Sequence, residues 1–198
     1  MHNDADRLPR NRILVFAAIA VIGCAADLAT KSWIFARMGY DPPEQRQIVQ
    51  LWPNVLELET HLNEGALFGI GQGRGNLFAL LSIVAASGIV YWLFYLKAGR
   101  DWLLTIALGG ITGGIFGNLY DRLGLPGLVW RRIGNLHDAG EPIKAVRDWI
   151  HFQTPWFDWP IFNIADSLLV CGAGLLLWHA FRGEAAQSAP AEVQTAKS

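Results

Sequence analysis

The chain has 198 residues, of which 52% are hydrophobic and only 17% charged, with a formal net charge of −1. The charges gather in a few stretches between long apolar runs, which argues against an ordinary soluble domain and points to the membrane. The two cysteines, Cys24 and Cys171, both fall inside apolar runs, so neither a disulfide framework nor a metal-ligand spacing is indicated.

Four runs approach the ~20 residues that a helix needs to cross the hydrocarbon layer. The first, 13–35, is broken only by Asp27 and Lys31. Within it Val21-Ile22-Gly23-Cys24 looks like the lipobox of a bacterial lipoprotein signal, but three more spans behind it favour an intact first helix. In the connection 36–74, Leu56, Leu58, Thr60 and Leu62 alternate with Glu57, Glu59 and His61, the period of a half-buried strand. Asn63-Glu64-Gly65 follows, and the spaced glycines from Gly69 to Gly75 read as a turn rather than a nucleotide loop. The runs 75–96 and 102–120 are uncharged. The latter carries Gly109, Gly110, Gly113, Gly114 and Gly117, expected along one face for close helix packing, with a thin face that leaves room for a substrate. A second connection, 121–158, leads to the run 159–181, whose one charge is Asp166. The tail after Gly183, rich in Ala, Ser and Gln, reads as disordered and cytoplasmic. The expected fold is mainly α: an integral membrane domain over 1–182, with four transmembrane helices, a small outer-face β-element and an interfacial segment.

Arg7, Arg10 and Arg12 precede the first run, Lys97 and Arg100 fill the turn between the second and third, and Arg182 follows the fourth. Basic residues mark the cytoplasmic side, so both termini are expected inside and both long connections outside. With that orientation Asp27, Asp121 and Asp166 all come near the outer face, and Asn63, Asn118 and Asn163 reach the same level. Asp148 belongs to the outer connection, with Trp149, Ile150 and Phe152 suited to the interface. An acid at membrane depth costs on the order of 2.5 kcal/mol or more, so Asp166 demands a use. Two carboxylates brought close share one proton; the ionised one can activate water and the protonated one can protonate a carbonyl oxygen, which is the chemistry of an aspartic peptidase. No His-Glu-x-x-His and no Gly-x-Ser-x-Gly is present, and Lys31 and Ser32 are adjacent, so they point apart on a helix. The rival class is a non-enzymatic membrane protein, such as a proton or cation carrier using Asp27 and Asp166 as relay sites. No internal repeat of the kind carriers show is visible.

The strings Asp27-Leu28-Ala29-Thr30-Lys31, Asn63-Glu64-Gly65-Ala66-Leu67-Phe68, Gly117-Asn118-Leu119-Tyr120-Asp121-Arg122, Val146-Arg147-Asp148-Trp149-Ile150 and Phe162-Asn163-Ile164-Ala165-Asp166-Ser167 occur in order. In these the chain resembles lipoprotein signal peptidase, signal peptidase II, over about residues 13–180. The resemblance implies an aspartic endopeptidase of the bacterial plasma membrane, with its site near the outer face and no metal or cofactor. It would remove the signal peptide of a prolipoprotein just before a diacylglyceryl-modified cysteine. The implied partners are such prolipoproteins, membrane lipid and globomycin-type inhibitors; no nucleic acid is expected, and the chain is expected to be a monomer. Asp148 and Asp166 correspond to the catalytic pair. Asn63, Asn118, Arg122 and Asn163 correspond to residues that hold substrate backbone or support the pair, although Asn63 and Asn118 could equally satisfy buried backbone. Asp27 and Lys31 read as a structural ion pair or as neighbours of the lipid head group, and Asp121 beside Arg122 reads as a structural pair.

One departure from the family is the stretch 123–145, which is longer than usual. Asp138 lies within it and Asp158 just past the motif, so both compete with Asp148 as the second aspartate. Asp138 precedes Ala139-Gly140 as in a solvated loop, whereas Asp148 has the apolar flanks of the motif.

Overall fold

Apolar stretches without an interior proline become four helices in the computed structural model, which describes residues 9–40, 47–65, 71–131 and 137–188. They are α1 (Arg10–Met38), α2 (Gly75–Val90, prolonged by a π-helical turn at Tyr91–Tyr95), α3 (Trp102–Arg122) and α4 (Ile164–Ser188). All four are long and apolar enough to span a bilayer. Helix α3 is the inner one: 61% of its apolar window is buried, against 11–17% for the others. It packs along α1 and α4 and also against α2. Asp101 caps its start, accepting from the Leu104 N–H at 3.0 Å.

The α3 glycines lie on two adjacent faces rather than one. A Cβ at Gly113 would come 2.9 Å from the Ala20 carbonyl oxygen of α1, and one at Gly114 would come 2.5 Å from that of Ala165 in α4. The stripe is therefore occupied by helix contacts on both sides, as small residues in membrane helices usually are, and leaves no thin face for a substrate.

Helix α4 departs from its expected limits at both ends. It begins at Ile164 rather than 159, because the backbone of Phe162 pairs with Ile150, with N–H···O distances of 2.8 and 2.9 Å, and Asn163 caps the helix just after it. At its far end it runs on to Ser188, through good helix formers such as Glu184 and Ala185, where a disordered tail was expected from 183. The rest of that tail, and Arg7 and Ala66–Gly69 of the motifs discussed above, lie outside the described residues.

The expected strand appears as β2 (Leu56–Asn63), within a four-stranded antiparallel sheet that also contains β1 (Ile48–Trp52), β3 (Val146–Thr154) and β4 (Phe157–Asp158), in the order β1-β2-β3-β4. Asn63 pairs with Val146 and His61 with Asp148, past an irregularity after Leu58. Gly71 and Gly73 adopt φ of 73° and 76°, as the turn reading requires. The sheet lies against α1 and α3, at the end where those helices finish and α4 starts. The described parts of 123–145 form a hairpin-like excursion: Trp130 N–H donates to the Glu141 carbonyl at 2.9 Å, and Ile143 N–H donates to that of Leu128 at 2.9 Å.

Candidate active site

Alternation along β3 sends Arg147 and Asp148 to opposite faces. Asp148, 1% exposed, receives the Asn63 Nδ2–H at Oδ2 (3.1 Å) and the Asn163 Nδ2–H at Oδ1 (2.6 Å). The Asn63 contact follows from the register: Asn63 faces Val146, two residues from Asp148, so the two side chains share a face. Asp166 is placed by a reciprocal cap. Its N–H donates to Asn163 Oδ1 at 3.0 Å, while its Oδ2 accepts from the Asn163 N–H at 3.2 Å, so Asn163 is the N-cap and Asp166 the third helical residue of α4. Both carboxylates are thereby hydrogen-bonded to one residue, Asn163. Asn118 Nδ2–H adds a bond to Asp166 Oδ1 at 2.9 Å.

The orientation of each asparagine amide follows from its other partners. Lys31 Nζ can only donate, and it does so to Asn118 Oδ1 at 2.9 Å, which leaves the Asn118 NH2 for Asp166. Asn63 Oδ1 accepts from the Gly65 N–H at 3.0 Å, and Asn163 Oδ1 accepts from Asp166, so their NH2 groups are left for Asp148. Three amides therefore face two carboxylates with donors only. Asn63 satisfies backbone and holds Asp148 together; Asn118 bonds side chains alone among the bonds it makes here.

Behind the pair lies a compact group of charges. Lys31 Nζ is 2.7 Å from Asp27 Oδ2 and 3.2 Å from Asp121 Oδ2, and Arg147 pairs with Asp121 Oδ1 at 2.9 Å. Asp27, Lys31 and Asp121 are fully buried. Two acids and two bases sum to zero charge, and Asp27 Oδ1 also accepts from the Ala165 N–H at 2.9 Å, tying α1 to the start of α4. Asp27 and Lys31 thus form an ion pair enclosed by protein. Asp121 does not pair with Arg122, as expected from their adjacency, because consecutive helical residues point roughly 100° apart. It turns to Lys31 and Arg147, while Arg122 donates from Nη2 to the Gly65 carbonyl at 2.8 Å. Arg147 stood in the motif around Asp148 without a role assigned to it; strand alternation beside Asp148 was the available signal.

Burial, and then the neighbouring Asp166 carboxylate, push Asp148 up to about 8, against the bonds from Asn63 and Asn163 that pull it down. A cavity of about 730 Å³ opens beside the pair, lined by Asp166, Arg122 and Asn63 and by the apolar Trp159, Ile161 and Leu169. Arg122 Nε is buried there with no hydrogen-bond partner among the described residues. Of the rival acids, Asp158 also lines this cavity and Asp138 does not. Asp138 is linked to Glu141 through its backbone N–H, and the Asp158 side chain, 76% exposed, pairs with His151 at 2.8 Å. Among the described residues no three His, Cys, Asp or Glu side chains gather as a metal-binding group.

A sequence model of the family described as Signal peptidase (SPase) II matches residues 19–182. The chain belongs to the signal peptidase II family. It is 46% identical over 174 residues to a lipoprotein signal peptidase of Rhodopirellula baltica, covering 87% of this chain and 74% of that one. It is 34% identical to the lipoprotein signal peptidase of Pseudomonas aeruginosa, over 92% and 98% of the two chains. Among solved structures it resembles a bacterial membrane enzyme determined by the in meso method at 2.3 Å resolution. The TM-score is 0.67 at 25% identity, over 95% of this chain and 97% of that one. A second such structure, at 1.9 Å, gives a TM-score of 0.63 at 26% identity, over 88% and 94% of the chains. This member of the signal peptidase II family is therefore a peptidase and a multi-pass bacterial membrane protein, and the carrier alternative is not favoured.

Proposed function

We propose that this signal peptidase is an aspartic endopeptidase in which Asp148 and Asp166 form the catalytic pair, cutting prolipoproteins before a diacylglyceryl-modified cysteine. The observation that carries the reading is the shared hold of Asn163 on both carboxylates, beside a cavity that Asp166 lines. The family and the lipoprotein signal peptidases it resembles supply the substrate class.

At neutral pH the pair holds one proton, on Asp148, where burial favours the neutral form. Asp166 takes a proton from a water molecule as that water attacks the scissile carbonyl carbon, and Asp148 gives its proton to the carbonyl oxygen. Asp166 then passes its proton to the leaving nitrogen as the C–N bond breaks, and the hydroxyl proton returns to Asp148. Arg122 Nε, which has no partner among the described residues, is available to a substrate carbonyl. The cavity wall continues along α4 through Leu169 to Val170, which is 63% exposed, so the acyl chains of the modified cysteine can lie in lipid while the peptide enters. The basic residues at the helix ends place both termini in the cytoplasm and the site at the outer face of the plasma membrane.

The test is cleavage of a lipidated precursor by the purified full chain in detergent. Asp148→Asn and Asp166→Asn are each expected to abolish it in protein that stays folded. Measurable turnover by either variant removes that residue from the pair.

A further inference from the structure

The stretch 123–145 is used by none of the chemistry above, yet one of its side chains reaches the site's framework. His137 directs Nε2 to Glu64 Oε1 and Nδ1 to Glu141 Oε2, the latter at 3.1 Å. Its ring lies flat on that of Trp130, with centroids 4.5 Å apart and planes inclined by 5°. Glu64 stands between Asn63, whose amide holds Asp148, and Gly65, whose carbonyl takes the Arg122 bond. The turn Asn63-Glu64-Gly65 thus carries two contacts to the site, and His137 grips its central residue.

The base of this grip is itself anchored. The Trp130 carbonyl accepts from the Gly140 N–H at 2.8 Å, opposite the Trp130-to-Glu141 bond already described. Ile143 and Ala145 are each 2% exposed. A Cβ at Gly75, where α2 starts, would come 2.9 Å from the Lys144 carbonyl oxygen, so the excursion is seated on the helix bundle. Glu64, Trp130, His137, Glu141 and Lys144 share the lining of a cavity of about 280 Å³. The charged groups facing the ring are therefore Glu64 from the β2 turn and Glu141 from its own excursion, with Lys144 at the cavity wall.

One ring nitrogen faces each carboxylate, so the ring joins Glu64 of the β2 turn to Glu141 of the excursion. We infer that His137 is a positioning residue for the peptidase reaction: held on Trp130 and Glu141, it clamps Glu64 and thereby keeps Asn63 and Gly65 in place for Asp148 and Arg122. The inference rests on the assignment of Asp148 and Asp166 as the catalytic pair. Loss of the clamp loosens the placing of groups already present, so it acts on turnover more than on substrate binding, whose apolar walls come from 159–170.

The experiment compares turnover of a lipidated precursor by monodisperse full-length protein in detergent. His137→Phe keeps the stack on Trp130 and removes both ring nitrogens; kcat is expected to fall about tenfold, with KM within about twofold. His137→Arg supplies several donors to the same two carboxylates, and its kcat is expected within about threefold of the parent. Glu64→Leu should match His137→Phe, and the double variant should be no worse than either single one, since both remove one interaction. Parental kcat in His137→Phe, multiplied losses in the double variant, or an Arg variant as slow as the Phe variant would each overturn the clamp. Asp166→Asn, run alongside, separates the two layers. If it is inactive while His137→Phe is unaffected, only the clamp fails; if it still cleaves, the aspartic reading fails beneath it.

Discussion

Replacing Asp148 by asparagine should reverse its effect on stability as pH rises. In the folded protein this acid is pushed from the ordinary 3.8 up to about 8. The folded state therefore holds a proton that the unfolded state has released. A stabilising contribution that is complete below the unfolded value is lost progressively as pH climbs from about 3.8 to about 8. Between pH 6 and pH 9 the loss from this one group amounts to about 3 kcal/mol. Asparagine has no such proton to lose. It does have only one side-chain oxygen for two donors, Asn63 and Asn163, so below about pH 4, where the parent's acid is protonated in both states, it should forfeit about 1 kcal/mol for the bond it fails to make. The variant is thus expected to be slightly less stable than the parent below about pH 4, already more stable at pH 6, and further ahead by about 3 kcal/mol at pH 9, while inactive throughout. For a chain of this size a change of 3 kcal/mol corresponds to roughly 6–12 °C in melting temperature, which detergent thermal-unfolding curves resolve. The histidines and other groups that titrate in the same range are common to both proteins and cancel in the comparison. Parallel melting-temperature profiles for the two proteins from pH 6 to pH 9 would refute the argument that burial beside Asp166 holds the proton on Asp148.

Lys31→Met strands Asp27 in the interior, leaves Asp121 to Arg147 alone and releases the Asn118 amide, so a loss of about 3–5 kcal/mol is expected, together with loss of cleavage; an unchanged melting temperature would contradict the neutral-group account. Gly117→Ala drives a Cβ into the Asp27 carboxylate and should cost about 1–3 kcal/mol by thermal unfolding, whereas Gly88→Ala, with open space around it, should cost nothing and can serve as the reference. Asp138→Asn keeps the backbone bond to Glu141 and should cleave a lipidated precursor at the parental rate; a large loss would reopen the competition with Asp148.

The four helices were legible because an uninterrupted apolar run of about 20 residues has few other uses. The strand at Leu56–Asn63 was legible because one buried face imposes a period of two. The start of α4 was misjudged by hydropathy, which runs on through 159–163 regardless of backbone conformation. The better signal was the spacing Asn163-x-x-Asp166, a cap in which each residue satisfies the other's N–H. The partner of Asp121 could not be read locally. Arg147 lies 26 residues away along the chain and is brought near by the β3 strand, while the adjacent Arg122 points elsewhere. The use of 123–145 was illegible for the same reason: His137 and Glu64 are 73 residues apart, and no periodicity in either segment announces their meeting.

The asparagines show why the site tolerates so much buried charge. An aspartate at 63, 118 or 163 would add repulsion, and an apolar residue would leave carboxylate oxygens unmatched in a dry interior. Asparagine supplies both an acceptor and donors, and here each acceptor is claimed by a group that can only donate: the Gly65 N–H, the Lys31 ammonium and the Asp166 N–H. None of these amides can turn over without facing donor to donor at one end and oxygen to carboxylate at the other. Lys31 is therefore linked to Asp166 through Asn118 without touching it, and the charge balance among Asp27, Lys31, Asp121 and Arg147 also fixes the direction of a hydrogen bond at the pair. Breaking that balance at any of the four should disturb the pair before it unfolds the helices, because α1 and α4 keep their glycine-mediated contacts with α3 whatever the charges do.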